Sequence, residues 1–344
     1  MIAFVANLIV PAPDVLPVPA PTSVMHLLLL LTFLLHLLAM NAMLGGLLIA
    51  LVTAFRKPDS GLPATVVGST PTLVASTVTL GVAPLLFLQT LMGQFFFTSS
   101  ILMGWGWFSV VIVLILAYYG AYLQAFRWAK KGVVNTGVLL ATVLGFLWIA
   151  FMFSNNTSLM AAPAVWGTKY FADPRGLHLN LGDPTLWPRY LHAVLGAAAV
   201  AGLVLGWWGA RLKDAVAGAA MYATGLKTFT LVTAVNVLAG LWYLMALPRE
   251  AMLLFMGRSP LGTGILTAGL VLSLVALFLG WRAWKKGPGA GLWPLTLVAV
   301  VVMAVMVVMR DLARGGLLAG IYTPEAFPVE PQWLNMGIFT VLFL

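Results

Sequence analysis

No cysteine occurs anywhere in the 344 residues. That excludes disulfides, iron–sulfur ligation, thiolate zinc sites and covalent haem c attachment through this chain. Charge is nearly as scarce: 8% of residues are Asp, Glu, Lys or Arg, 62% are hydrophobic, and the mean hydropathy is +1.02. Soluble chains carry about 25% charge, so water is excluded as the solvent for most of this one. The bilayer takes its place. Histidine is rarer still, at His26, His36, His178 and His192, and any imidazole ligation of metal draws on those four. The alternating pattern of a membrane barrel is missing too, because the apolar runs are continuous. The net charge of +9 is accounted for by Lys and Arg flanking membrane spans; nucleic acid is not an expected partner, and lipid is.

Apolar runs predict spans over about 24–55, 66–98, 105–126, 134–153, 189–210, 226–247, 260–281 and 292–312. A ninth run, Trp333–Leu344, is too short to cross. The expected fold is an all-α polytopic bundle of eight to nine transmembrane helices, since only helices and closed barrels satisfy backbone groups in lipid. Residues 1–21 hold five prolines from Pro11 to Pro21 and no basic leading region. They read as an extramembrane arm rather than a cleaved signal peptide, and 22–344 reads as the transmembrane domain. Placing the N-terminus outside puts eleven basic residues on short inner loops and seven on longer outer ones, the favoured orientation. Loop 154–188, rich in Trp, Pro and Asp, is then the largest outer segment and a candidate docking surface.

Depth follows from the inner boundary. His36 lies 19 residues from Phe55, His192 lies 19 from Arg211, and Asp311 lies 19 from Leu292. At 1.5 Å per residue each stands roughly 28 Å from the inner boundary, near the outer edge of the hydrocarbon. Ionisable residues in spans are costly and point to function; alone, each has a bland reading as an interfacial group. Three at one depth point to a ligand layer. Imidazole is a common axial ligand of haem iron. Arg189, three residues before His192, shares its helix face and suits a haem propionate, or else anchors the helix at the interface. Arg310 and Arg314 flank Asp311 and invite the same pair of readings, with Asp311 as ligand or as their ion partner. His26 stands ten residues before His36, too far outward to share one iron with it, and is a candidate for a separate haem. Met245, Met252 and Met256 are candidate sulfur ligands, although methionine mostly fills gaps between helices.

The stretch "HLLAMNAMLGG" at His36, with glycine nine residues on at Gly45, resembles the first helix of the large subunit of cytochrome bd-type quinol oxidases. "TLGVAPLLFLQTLMGQFFFTSSILMG" is similar to that family's second helix, and "RYLHAVLGAAAVAGLVLGWWG" to its fifth. "RDLARGGLLAGIYTP" is more weakly similar to a segment holding a haem-ligating carboxylate and an arginine. The resemblance implies haem b, two or three copies, with His192 on a low-spin haem, Met256 nearest to its methionine partner, and His36 and Asp311 on the others. It implies other membrane subunits and leaves quinone binding open. Two departures matter. About a dozen residues replace the family's long quinol-binding loop, and span three contains no Asp or Glu, where the oxidases carry glutamates.

The sequence therefore leads to an expectation of a divergent bd-like electron-transfer subunit of a respiratory complex, in a bacterial inner membrane, exchanging electrons with c-type cytochromes. The alternatives are a working terminal oxidase or quinol dehydrogenase, and a haem-free transporter or scaffold.

Overall fold

A computed structural model describes residues 10–12, 16–288, 291–324 and 327–343. Eight helices are long and apolar enough to cross a membrane: α1 Thr22–Arg56, α2 Leu62–Leu102, α3 Gly104–Leu123, α4 Thr136–Met160, α5 Leu186–Gly209, α6 Ala215–Ala246, α7 Pro260–Lys286 and α8 Trp293–Leu317. The chain is a multi-pass membrane protein. The ninth run forms α9, Trp333–Phe343, of 11 residues. All eight expected spans are found, and all but α3 are longer than their apolar runs suggest, α2 and α6 by the most. Asp214 caps α6 by accepting from the amides of Val216 and Ala217, so that helix starts eleven residues before the expected 226. In α2 the interior Pro71 and Pro84 are tolerated, and the non-helical Met92 marks a kink.

Helices α1 to α4 and α5 to α8 form two halves that meet along α1 and α5. Glycine allows the closest approaches. On Gly45 a Cβ would overlap the backbone carbonyl of Ala197, and Gly202 and Gly225 face each other's carbonyls with hypothetical Cβ separations of 2.6 and 2.5 Å. Small residues at helix crossings are the usual means of packing in lipid, where hydrophobicity gives no drive between helices. One end of the bundle is basic and aromatic: Lys130 lies over Phe126, Arg211 over Trp207 and Lys285 over Trp284, at 4.8, 4.2 and 5.1 Å.

The opposite end carries the arm. Val18 and Val329 form a parallel bridge; the Val18 amide donates to Pro328, and the amides of Glu330 and Gln332 donate to Val18 and Pro19. Eight crossings must return a chain to the side it left, and this contact is the result. On the same side loop 154–188 folds into a cap. It contains a short helix, Trp166–Ala172, and is tied to the α2–α3 corner by His178 donating to Leu102 and Trp105 donating to Gly176.

Candidate functional site

His36 on α1 points at α2. Its Nδ1 lies 3.0 Å from the Thr77 carbonyl oxygen. A carbonyl only accepts, so the ring carries its proton on Nδ1 and presents a bare lone pair at Nε2. One turn past Thr77 is Gly81, where a Cβ would lie 2.9 Å from ring atoms Cε1 and Nδ1. Glycine leaves the ring its place. Phe33 stacks on the other side, centroids 6.3 Å apart, and the Arg310 guanidinium of α8 covers Phe33 at 4.3 Å.

His192 on α5 repeats that arrangement against α6. Its Nδ1 donates to the Asn236 carbonyl at 3.1 Å, and a Cβ on Gly240 would lie 3.1 Å from Cε1. The Asn236 side chain also lies within hydrogen-bonding reach of this ring, and the one bond with resolved geometry, at Nδ1, leaves Nε2 open. The contact of Gly45 with Ala197 relates the two sites. His36 precedes that level by nine residues and His192 by five, on helices running the same way. The two rings therefore stand about 13 and 8 Å above it, within roughly one helical turn of each other.

The remaining candidates divide. His26 and Asp311 come together across α1 and α8, Nε2 to Oδ2 at 2.7 Å, while Arg314 donates to Oδ1 of the same carboxylate. Both Asp311 oxygens and the His26 Nε2 are thus engaged, which leaves His26 only its Nδ1 to offer a metal. Arg189 donates through Nη2 to the Thr185 hydroxyl at 3.1 Å and the Tyr243 hydroxyl at 3.3 Å; its Nη1 is buried without a partner. Arg310 makes no hydrogen bond among the described residues and lies within electrostatic reach of Arg189 and Arg314. Met256, beside the left-handed Gly257 (φ 106°), is 53% exposed, whereas Met252 packs against the buried cluster of Leu247, Ala251, Phe255 and Ala313. His178 donates to the Asp173 carbonyl at 2.6 Å within the cap.

Sequence reasoning missed Thr77, Gly81, Gly240, Phe33 and Tyr243. The two carbonyl partners carry no side-chain signal at all. The glycines do carry one, since a helical glycine four residues beyond a polar residue recurs at both sites.

These groups suit a haem. Among the described residues no three His, Cys, Asp or Glu side chains converge as a bare ion would need. A porphyrin brings four nitrogens of its own and asks only for axial ligands. Two unpartnered imidazole nitrogens answer that need. The unpartnered Arg189 Nη1 and the acceptor-free Arg310 answer the carboxylates of its edge.

No family model and no curated protein matches the sequence. Among solved structures, a chain of the bd oxidase from Geobacillus thermodenitrificans superposes with a TM-score of 0.65 at 14% identity, covering 94% of this chain and 95% of that one. The chain has the bd oxidase fold. The bd-like arrangement expected from spans one, two and five is therefore met across nearly the whole chain, including the second half, where the sequence resemblance is weakest.

Proposed function

We propose that the chain is a haem-b-binding electron-transfer subunit of a membrane respiratory complex, with His36 and His192 as axial ligands. One observation carries this reading. Two histidines on different helices are held alike by a neighbouring backbone carbonyl, a glycine clears room beside each ring, and both offer a free Nε2. A core histidine that served packing alone has no need of that pattern twice. The haem supplies a reversible one-electron couple; the protein orients it, neutralises its carboxylates and excludes water. In that division of labour Arg189 and Arg310 bind carboxylates. Asp311, the sole Asp or Glu within the eight spans, offsets the charge of Arg314. The arm side is taken as the outer side of a bacterial inner membrane, and a c-type cytochrome docking on the cap as the electron partner.

The bd oxidase fold itself favours a second reading, an oxygen-reducing or quinol-oxidising chain. Against it stand α3 without a carboxylate and the compact α6–α7 connection, residues 247–259, since oxygen reduction requires titratable groups along a proton route. Purification after expression with haem supply tests the first reading: a Soret band and an alpha band that respond to dithionite are expected. A colourless protein would overturn it. Oxygen uptake by the purified complex, abolished in His36→Ala, would favour the second.

A further inference from the structure

A chain of hydrogen bonds runs from the cap to Arg189, and nothing in the proposed function uses it. It begins at two fully buried α4 residues. Asn155 Oδ1 accepts from the Asn180 amide at 2.7 Å, and Ser158 Oγ accepts from Asn180 Nδ2 at 2.8 Å. Ser158 then donates to Asp183 Oδ2. The other oxygen, Oδ1, accepts twice from Thr185, from its amide at 2.8 Å and its hydroxyl at 2.9 Å. Because the Thr185 proton is committed to Asp183, the hydroxyl oxygen has only lone pairs to offer to Arg189, whose Nη2 donates to it at 3.1 Å. Tyr243 fixes the guanidinium from the other side, its ring centroid 5.3 Å away. Asn155, Ser158, Thr185 and Asn180 are between 0 and 7% exposed, so water competes little for these bonds. The guanidinium is clamped with one end satisfied and Nη1 left over.

We infer that Asp183 and Thr185 are positioning residues that hold Arg189, Nη1 free, toward a carboxylate of the ligand at His192. The inference rests on the haem reading of His192. A clamped positive charge beside the iron favours the reduced state, whose charge is lower by one. A guanidinium released from the clamp spreads its charge over several rotamers and into water, and the oxidised state gains.

The test is a potentiometric titration of the purified haem protein, with the His36 haem as internal reference and the two haems assigned from His36→Ala. Thr185→Val keeps the shape and removes the hydroxyl. It is expected to lower the midpoint of the His192 haem alone, moving the oxidised-to-reduced ratio on the order of threefold, roughly 30 mV for one electron. Thr185→Ser, which restores the hydroxyl, should return the midpoint to the wild-type value. Asp183→Asn should stay close to wild type, because its Oδ1 still accepts from Thr185, whereas loss of charge alone would raise the midpoint. A Thr185→Val midpoint equal to wild type, or a shift that serine does not reverse, would overturn the inference. Hydrogen exchange on the haem-free chain judges the clamp separately: Asp183→Ala should speed exchange at the amides of Asn180 and Thr185, and unchanged rates there would overturn it as well. A wild-type chain that takes up no haem at all overturns the function, and is seen before any variant is made.

Discussion

The two histidine sites share one local grip and differ in what lies around it. On the His36 side the neighbours are charged: Arg310 over Phe33, and farther outward along α1 and α8 the triad of His26, Asp311 and Arg314. Beside His192 the immediate neighbour is neutral, the Asn236 side chain, with Arg189 three residues earlier on α5 bonded to the Tyr243 hydroxyl. A backbone carbonyl and a glycine set ring orientation and tautomer in both. Surrounding charge then tunes each site separately. The difference teaches that ligation and tuning are carried by separate parts of the fold, and each part is open to a separate change.

The largest expected effect comes from removing a ring. His36→Ala and His192→Ala should each cost about half of the haem measured by pyridine haemochrome in a two-haem protein, and together nearly all of it. Retention of full haem in both single variants would break the comparison at its base, because neither ring would then be a ligand. Next comes the charge that only one site possesses. Asp311→Ala leaves Arg314 and His26 without their shared carboxylate. Removing one partner of a buried pair costs about 3–5 kcal/mol; with the His26 side chain 35% exposed and the Asp311 side chain 15%, solvent screening reduces this to about 1–3 kcal/mol. Thermal unfolding should show that loss. The midpoint at His36 should rise while that at His192 holds. Equal shifts at both would mean the two environments are not separate.

A smaller effect separates the two glycines. Alanine in place of glycine favours a helix by about 1 kcal/mol, against an overpacking cost of about 1–3 kcal/mol. At Gly81 the added methyl meets ring atoms at 2.9 Å, at Gly240 no closer than 3.1 Å. Gly81→Ala is therefore expected to destabilise by about 1 kcal/mol and to loosen haem at His36, and Gly240→Ala to sit near zero. The reverse order in unfolding temperature and haem retention would show that the α5–α6 pair is the stiffer of the two.

Much of this was legible from the residues, and for a physical reason. Lipid forbids irregular backbone in its core, so each span declares itself by an apolar run, and a histidine or aspartate inside a run stands out against it. His36, His192 and Asp311 are visible in that way; the contact of α1 with α5 sets the two histidines within a turn of each other, whereas the third member of the expected layer, Asp311, pairs with His26, ten residues outward of His36. What holds them was not legible. The acceptors of both rings are main-chain oxygens of Thr77 and Asn236, which every residue possesses. The pairing of His26 with Asp311 joins residues 285 apart, and no spacing rule reaches that far. Asp183 and Thr185 sit in the cap, where polar residues are ordinary and give no contrast.

The smallest expected effect lies outside the membrane and sharpens the contrast from there. Asp173 and Arg175 form an ion pair in the cap at 2.8 Å, with the arginine side chain 74% exposed. Hydrogen bonds from Arg175 hold the Asp173 carboxyl down to about 2. A depressed carboxylate contributes stability above its unfolded value near 3.8, and that contribution fades as pH falls through the folded value. Between pH 8 and pH 5 the pair should therefore add no pH dependence to unfolding. Any loss from it should appear only below about pH 4. Asp173→Asn should leave unfolding temperature, haem content and both midpoints nearly as they are, and salt should erase what difference remains, since exposed charges are screened within about 8 Å at physiological ionic strength. Asp311, half-hidden between helices, should resist the same salt. A midpoint at either histidine that follows Asp173 would mean that charge in the cap reaches the iron as effectively as charge beside it, and the separation of the sites by their immediate neighbours would no longer hold.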